Sequence, residues 1–275
     1  MSIKSRSAIA GVLLVAFLIA TQGAAALKVS GSTTVLPFGS VAAEEFNAAQ
    51  SGIHVSVSGG GSGVGIKNVA AGISDIAMAS RHVRDSEREA NPDKEFVEHL
   101  VAYDAICIAV SKAVYDAGVT DLTIEDVRAI YNGEIKNWAQ LGGENKDIYV
   151  LAREVGSGTR DTFNEMVMGS DKAETPGVTT NHGSNAEVKT ALTRSDKAIG
   201  YLGLNYVQDG NLGVIALDGV VPTVSTVRDG SYPLARELFF VTYGEPDDEA
   251  ATFLEFVTGG DGQAIADELA FVPIN

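Results

Sequence analysis

The stretch LAREVGSGTRDTF, residues 151–163, carries an apolar run into a helix through a donor-rich loop. Arg153 closes the apolar run. Gly156 and Gly158 free the backbone to approach a ligand, and Ser157 and Thr159 add hydroxyls. Phe163, Met166 and Val167 then recur on one helical face. A helix start leaves amide N–H groups unpartnered and partly positive, which suits an anion. The guanidinium of Arg153 is a planar fork that fits a carboxylate or a phosphate. The same residues also fit an ordinary helix cap beside a surface ion pair. The stretch by itself leaves both readings open.

Outward from it, strand-like and helix-like segments alternate. LKVS, IHVSVS, DIAMAS, the long run through DAICIAVSK, DIYVLA, AIGYLGL, GVIAL and ARELFFVTY read as strands. VLPFGSVAAEEFNAAQ, VGIKNVAAG, TIEDVRAIYNG, SNAEVKTALTR, DDEAATFLEFVTGG and GQAIADELA read as helices. Pro37 falls in a first turn, where proline is tolerated, and Thr123 with Asp126 forms a capping pattern that ends at Gly133. The alternation predicts an α/β fold with largely parallel sheet, whose ligands sit at the C-terminal ends of strands.

Four strand-to-helix loops share one chemistry: SGSTTVLP, SGGGSGVG, the Ser80–Arg81 junction and the Arg153 loop. Each has a plainer alternative. SGSTT can cap the helix at Pro37, GGGSG can be a flexible turn, and Arg81 can pair with Asp85 or Glu87. Together they can converge on one small oxyanion.

Composition narrows the partners. The chain has 20 basic and 36 acidic residues. Lys4 and Arg6 precede the apolar run IAGVLLVAFLIA and the small-residue segment TQGAAA, the pattern of a secretory signal peptide over residues 1–26. An uncleaved N-terminal anchor is the alternative, and lipid attachment is excluded because no cysteine lies near. Without Lys4 and Arg6, 18 basic residues face 36 acidic ones, a net charge of −18 on the exported chain. Nucleic acid is excluded as a partner, since its affinity comes from many basic contacts. A small anion must be bound against this field by local donors. The single cysteine, Cys107, sits in an apolar run and reads as a buried, inert thiol. His54, His82, His99 and His182 lack metal-motif spacing and read as solvated surface, and no Walker pattern or G-x-S-x-G elbow is present, so metal, cofactor and catalytic residues are not expected.

The segments SGSTTVLP, SGGGSGVGIKNV, DIAMASR, IYNGEIKNWAQLGG and REVGSGTRDTF occur in an order that resembles the exported phosphate-binding proteins of Pst-type ABC transporters. The resemblance implies a type II periplasmic-binding-protein fold, with two α/β lobes joined by crossing strands and inorganic phosphate in the cleft. The strand through Cys107 and the strand ARELFFVTY are the candidate crossings. The lobes would be residues 27–110 plus 237–275, and residues 111–236. Carried over by position, Thr33, Thr34, Ser62, Arg153, Ser157, Gly158 and Thr159 would bind phosphate, with Ser32, Ser80, Arg81 and Arg160 as weaker candidates. Trp138 is expected in the core. Some members place an aspartate after the DIAMAS-like strand to accept the phosphate proton. Here Ser80 and Arg81 stand there, so a neutral acceptor or an added cation takes that place. The implied protein is a non-enzymatic monomer that serves a membrane permease from the periplasm or the cell surface. A binding protein for sulfate, molybdate or tungstate is the nearest alternative, and a secreted phosphatase or esterase using Ser157 is the alternative of a different class.

Overall fold

The computed structural model describes residues 25–50 and 52–275. The signal peptide expected over residues 1–26 therefore lies, but for Ala25 and Ala26, outside the described residues. Among the described residues no helix is long and apolar enough to cross a membrane.

Eleven strands are described: β1 Ala25–Gly31, β2 Ile53–Ser58, β3 Ile76–Ala79, β4 Phe96–Ser111, β5 Asp121–Leu122, β6 Tyr149–Arg153, β7 Thr180–His182, β8 Ala198–Gly203, β9 Leu212–Val214, β10 Ala216–Leu217 and β11 Ala235–Tyr243. Nine of them form one sheet in the order β2-β1-β3-β11-β4-β8-β6-β7, with β9 added on β4. β1 runs parallel to β2 and β3, and β6 runs parallel to β8 and β7. Both crossing strands lie at the centre. β4 pairs with β11 over Phe96–Ala105 and then turns its remaining residues to β8 and β9. The helices close on both faces, which is why Ala105 to Val110 are fully buried and read as one apolar run.

Each half of the sheet has its own core. Phe38, Phe46, Phe240 and Phe253 fill one, with Phe46 edge-on to Phe253 at 5.2 Å. Tyr131, Trp138, Phe163 and Tyr201 fill the other, with Phe163 stacked on Tyr201 at 4.1 Å. Trp138 is buried as expected and its indole donates to the Lys197 carbonyl. Cys107 is fully buried, and burial pushes its thiol well up from the ordinary range.

A bulge shifts the β4–β11 register between Leu238, opposite Ala102, and Phe239, opposite Leu100. The extra residue is Val101, whose carbonyl accepts from the Gln263 amide at 2.9 Å. Gln263 also donates to Val257 and accepts from the Ile274 amide, tying the helix Gly260–Glu268 to the sheet centre.

Three local expectations need correction. GVIAL is two short strands, because Gly213 and Val214 pair with β4 while Ala216 and Leu217 pair with β5. Met166 leaves the apolar face: Gly158–Phe163 runs into a wider π turn at Asn164–Met168, which keeps Phe163 and Val167 buried and swings Met166 out. His99 is half-buried beside Thr242 rather than solvated, and burial lowers its pKa.

Candidate functional site

The site is built where the loops after β1, β2, β3 and β6 meet across the two halves. After β1, Ser32 accepts the Thr34 amide, and this closes the turn into the helix Leu36–Ala49. The hydroxyls of Thr33 and Thr34 are thereby left over from capping. Both are buried and face the other half of the molecule. After β2, Gly61 adopts φ 95°, and a Cβ there would lie 2.9 Å from the Gly156 carbonyl. This places Ser62 at the start of the helix Ser62–Ala70, with the Gly63 amide donating to Gly156 O at 3.0 Å. Ser62 Oγ accepts the Ser80 amide at 3.1 Å and stands 3.3 Å from Ser80 Oγ. From the opposite half, Gly158 backs onto both serines. A Cβ on it would fall 2.3 Å from Ser62 Oγ.

After β6, the Arg153 amide donates to the Tyr201 hydroxyl, which fixes the strand end over the aromatic stack. The guanidinium is 1% exposed. Its Nε donates to His182 O at 3.1 Å, and its Nη2 to Gly183 O at 2.8 Å and Thr33 Oγ1 at 3.1 Å. Its Nη1 is buried with no partner among the described residues, and no carboxylate pairs with it. Burial pulls its pKa down to about 10, opposed by Tyr201, Tyr206 and Glu187, while Arg236 adds repulsion.

Hydroxyl directions follow from counting donors. Thr34 Oγ1 accepts from Asn185 Nδ2 at 3.0 Å and Arg236 Nη2 at 3.2 Å, so its own proton goes to Thr159 Oγ1 at 2.8 Å. Thr159 accepts from Arg236 Nη1 as well, so its proton finds no acceptor among the described residues. The Thr33 hydroxyl accepts from Arg153 and Asn185 and is likewise left with a proton to give. Three buried donor groups therefore converge: Arg153 Nη1 and the hydroxyls of Thr33 and Thr159. The matching chemistry is a compact oxyanion.

The remaining sequence candidates divide. Ser157 Oγ accepts the Arg160 amide as the helix N-cap. No histidine lies among its hydrogen-bond partners, so nothing activates it as a nucleophile. Arg160 donates to the Arg153 carbonyl and braces the loop from behind. Arg81 is not surface-paired. Its guanidinium is held by Glu87 through two 2.8 Å bonds and by Asp161 at 2.8 Å. Its charge is spent outside the donor cluster.

Three participants escaped sequence reading. Asn185, fully buried at the start of the helix Asn185–Arg194, bonds both threonines and receives the Gly203 amide. Arg236 donates to Asp104 Oδ2 at 3.0 and 2.7 Å, and Leu204 N donates to Asp104 Oδ1. A cleft of about 680 Å³ opens beside this cluster, lined by Arg81, Arg84, Asp161, Asp171, Arg236 and Glu237.

A family model described as a PBP superfamily domain matches residues 19–261. The phosphate-binding protein PstS of Bacillus subtilis is 32% identical over 255 residues, covering 92% of this chain and 82% of the relative. PstS of Borreliella burgdorferi is 30% identical, covering 90% of each chain. A substrate-binding protein assigned to a phosphate ABC transporter of Clostridium perfringens, solved with bound phosphate, superposes with a TM-score of 0.82 at 32% identity, covering 91% of this chain and 100% of that one.

Proposed function

The chain belongs to the PBP superfamily, among its PstS-type phosphate-binding proteins, and on that premise we propose that it captures inorganic phosphate between two lobes and delivers it to an ABC permease. The fold is the type II periplasmic-binding-protein fold. We assign residues 27–110 plus 237–275 to one lobe and 111–236 to the other, so that the clamp closes across the β4 and β11 crossings. Thr33, Thr34 and Ser62 bind from the first lobe. Arg153, Ser157, Gly158 and Thr159 bind from the second. Ser32 and Arg160 support the loops, and Arg236 and Asn185 orient the threonines.

The observation that carries the assignment is Arg153: a cation 1% exposed, with no carboxylate bonded to it and one unpartnered nitrogen among the described residues. A buried charge without a counterion is unfavourable, so it favours an anion placed there. The carboxylates nearby, Asp104 and Asp161, are each committed to arginines, which leaves neutral oxygens to accept a phosphate proton.

The protein acts as a monomer outside the cytoplasm and catalyses no reaction. Calorimetric titration with phosphate, sulfate and molybdate tests the assignment, with phosphate expected to bind tightest. Release of phosphate from a chromogenic ester, dependent on Ser157, would overturn the non-enzymatic reading.

A further inference from the structure

A second set of charges also spans the two halves, and it touches none of the proposed phosphate donors. Arg81 Nε donates to Asp161 Oδ2 at 2.8 Å, and Arg84 Nη2 reaches both Asp161 Oδ2 and Asp171 Oδ2 at 2.9 Å. The arginines follow β3, and the aspartates belong to the helix Gly158–Phe163 and the segment after its π turn. The inner pair is nearly dry, with side chains 8% exposed on both partners. The outer pair is wetter, at 29% and 31%.

Glu87 completes the arrangement from the arginine side. It holds both outer nitrogens of Arg81 and accepts the Arg84 amide, so Arg81 keeps its aim at Asp161 whatever the other half does. Burial opposes the Arg81 charge, and Glu87 and Asp161 outweigh it, so its pKa is raised. Arg81 therefore keeps its charge near neutral pH. Asp161 stands two residues after Thr159, and its amide bonds Ser157 O, while Arg81 directly follows Ser80. A pull between Arg81 and Asp161 is thus a pull between donor loops of opposite halves.

We infer that Arg81, Arg84, Asp161 and Asp171 form a latch between the lobes that sets how much of the ligand-free protein is closed, and so tunes phosphate affinity without touching phosphate. The inference rests on the clamp reading for its link to affinity, but the latch itself is measurable without ligand. Opening parts two cations from two carboxylates and returns the dry inner pair to water. Apparent affinity scales with the closed fraction, so loosening the latch weakens binding by the same factor. Salt screens the outer pair more than the inner one.

The test uses the full chain with spin labels at I73C and V221C, one exposed position in each half, Cys107 being buried. Arg84→Gln and Asp171→Asn lie in the outer pair, away from the donors. Each is expected to lengthen the ligand-free interlobe distance. Each should also weaken phosphate binding about three- to tenfold, chiefly through faster release. The double variant should bind no more weakly than Arg84→Gln alone, because that change already removes the tie to Asp171. Added potassium chloride should weaken phosphate binding more in the parent than in Arg84→Gln. Unchanged ligand-free distances in both single variants would overturn the latch. A parent protein that binds no phosphate but whose distances still respond to these variants would overturn the clamp reading and leave the latch standing.

Discussion

Two buried arginines stand in the same cluster of hydroxyls and answer burial in opposite ways. At the strand crossing, Arg236 lies directly opposite Asp104 in the β4–β11 register and gives that carboxylate two hydrogen bonds. At the end of β6, Arg153 is deeply buried too, and among the described residues its guanidinium bonds only two carbonyls and a threonine hydroxyl. The first region is complete within the chain. The second leaves one Arg153 nitrogen without a partner among the described residues. Similar residues, bonded to neighbouring threonines, thus differ by one carboxylate.

The sharpest way to break this contrast is Asp104→Ala. It strands the Arg236 charge in a dry place, and removing one partner of a buried pair costs about 3–5 kcal/mol. We expect a melting midpoint lower by on the order of 10 °C, with or without phosphate. A midpoint within a degree of the parent would show that Arg236 needs no partner.

Arg153→Met should do the reverse. Binding should fall by about tenfold to a hundredfold or more, since each charge-assisted hydrogen bond contributes roughly 1.5–3 kcal/mol. The ligand-free midpoint should hold or rise, because an uncompensated cation has been replaced by an apolar chain. A phosphate affinity equal to the parent's would remove Arg153 from the site. Alkaline pH sharpens the same point. The folded-state pKa of Arg153, about 10, lies below the ordinary guanidinium range, so from about pH 10 upward the unfolded chain binds more protons and this residue adds stability as pH rises. Tyr201 and Tyr206, raised to about 12 chiefly by burial, work the opposite way, their stability being lost as pH climbs from about 10. The expected signature is therefore a difference: above pH 10 the ligand-free parent loses stability more slowly than Arg153→Met.

Phosphate should be preferred over sulfate by about ten- to a hundredfold near neutral pH, the cost of leaving a neutral acceptor facing an oxygen without a proton. Competition calorimetry across pH should show no single carboxylate governing the profile. Equal affinities would remove proton recognition from the site.

The smallest effect is expected from Asn185→Ala. It removes two hydrogen bonds to Thr33 and Thr34 and should weaken phosphate binding about tenfold at most, with the Arg236–Asp104 pair still in place. A loss as large as that for Arg153→Met would make Asn185 a direct ligand.

Local pattern explains what was legible in the sequence. Strand alternation and the Thr123 capping box rest on spacing within a dozen residues, and both recur in the fold, whereas the crossing strands were candidates only through the family resemblance. The donor-rich loops stood out because they concentrate glycines and hydroxyls, the resemblance singled out Thr33, Thr34 and Ser62 within them, and the structure gathers these with Arg153 and Thr159 across the two halves. Asp104 and Arg236 are 132 positions apart, and each interrupts an apolar strand. That interruption was the available signal, but a lone charge in a strand does not name its partner. Asn185 lies within SNAEVKTALTR, which read only as a helix, and nothing local set it apart. Met166 moved because a π turn changes the period, which a 3.6-residue pattern cannot register.

The Asp104–Arg236 pair has a mechanical consequence. It couples directly opposed residues of the two strands that carry the chain between halves. Sliding β4 past β11 by one position would tear the pair, whereas twisting the strands about it would not. A rotation of one half against the other would leave the pair intact, and Arg236, which donates to Thr34 on one side and Thr159 on the other, would stay bonded to hydroxyls from both halves.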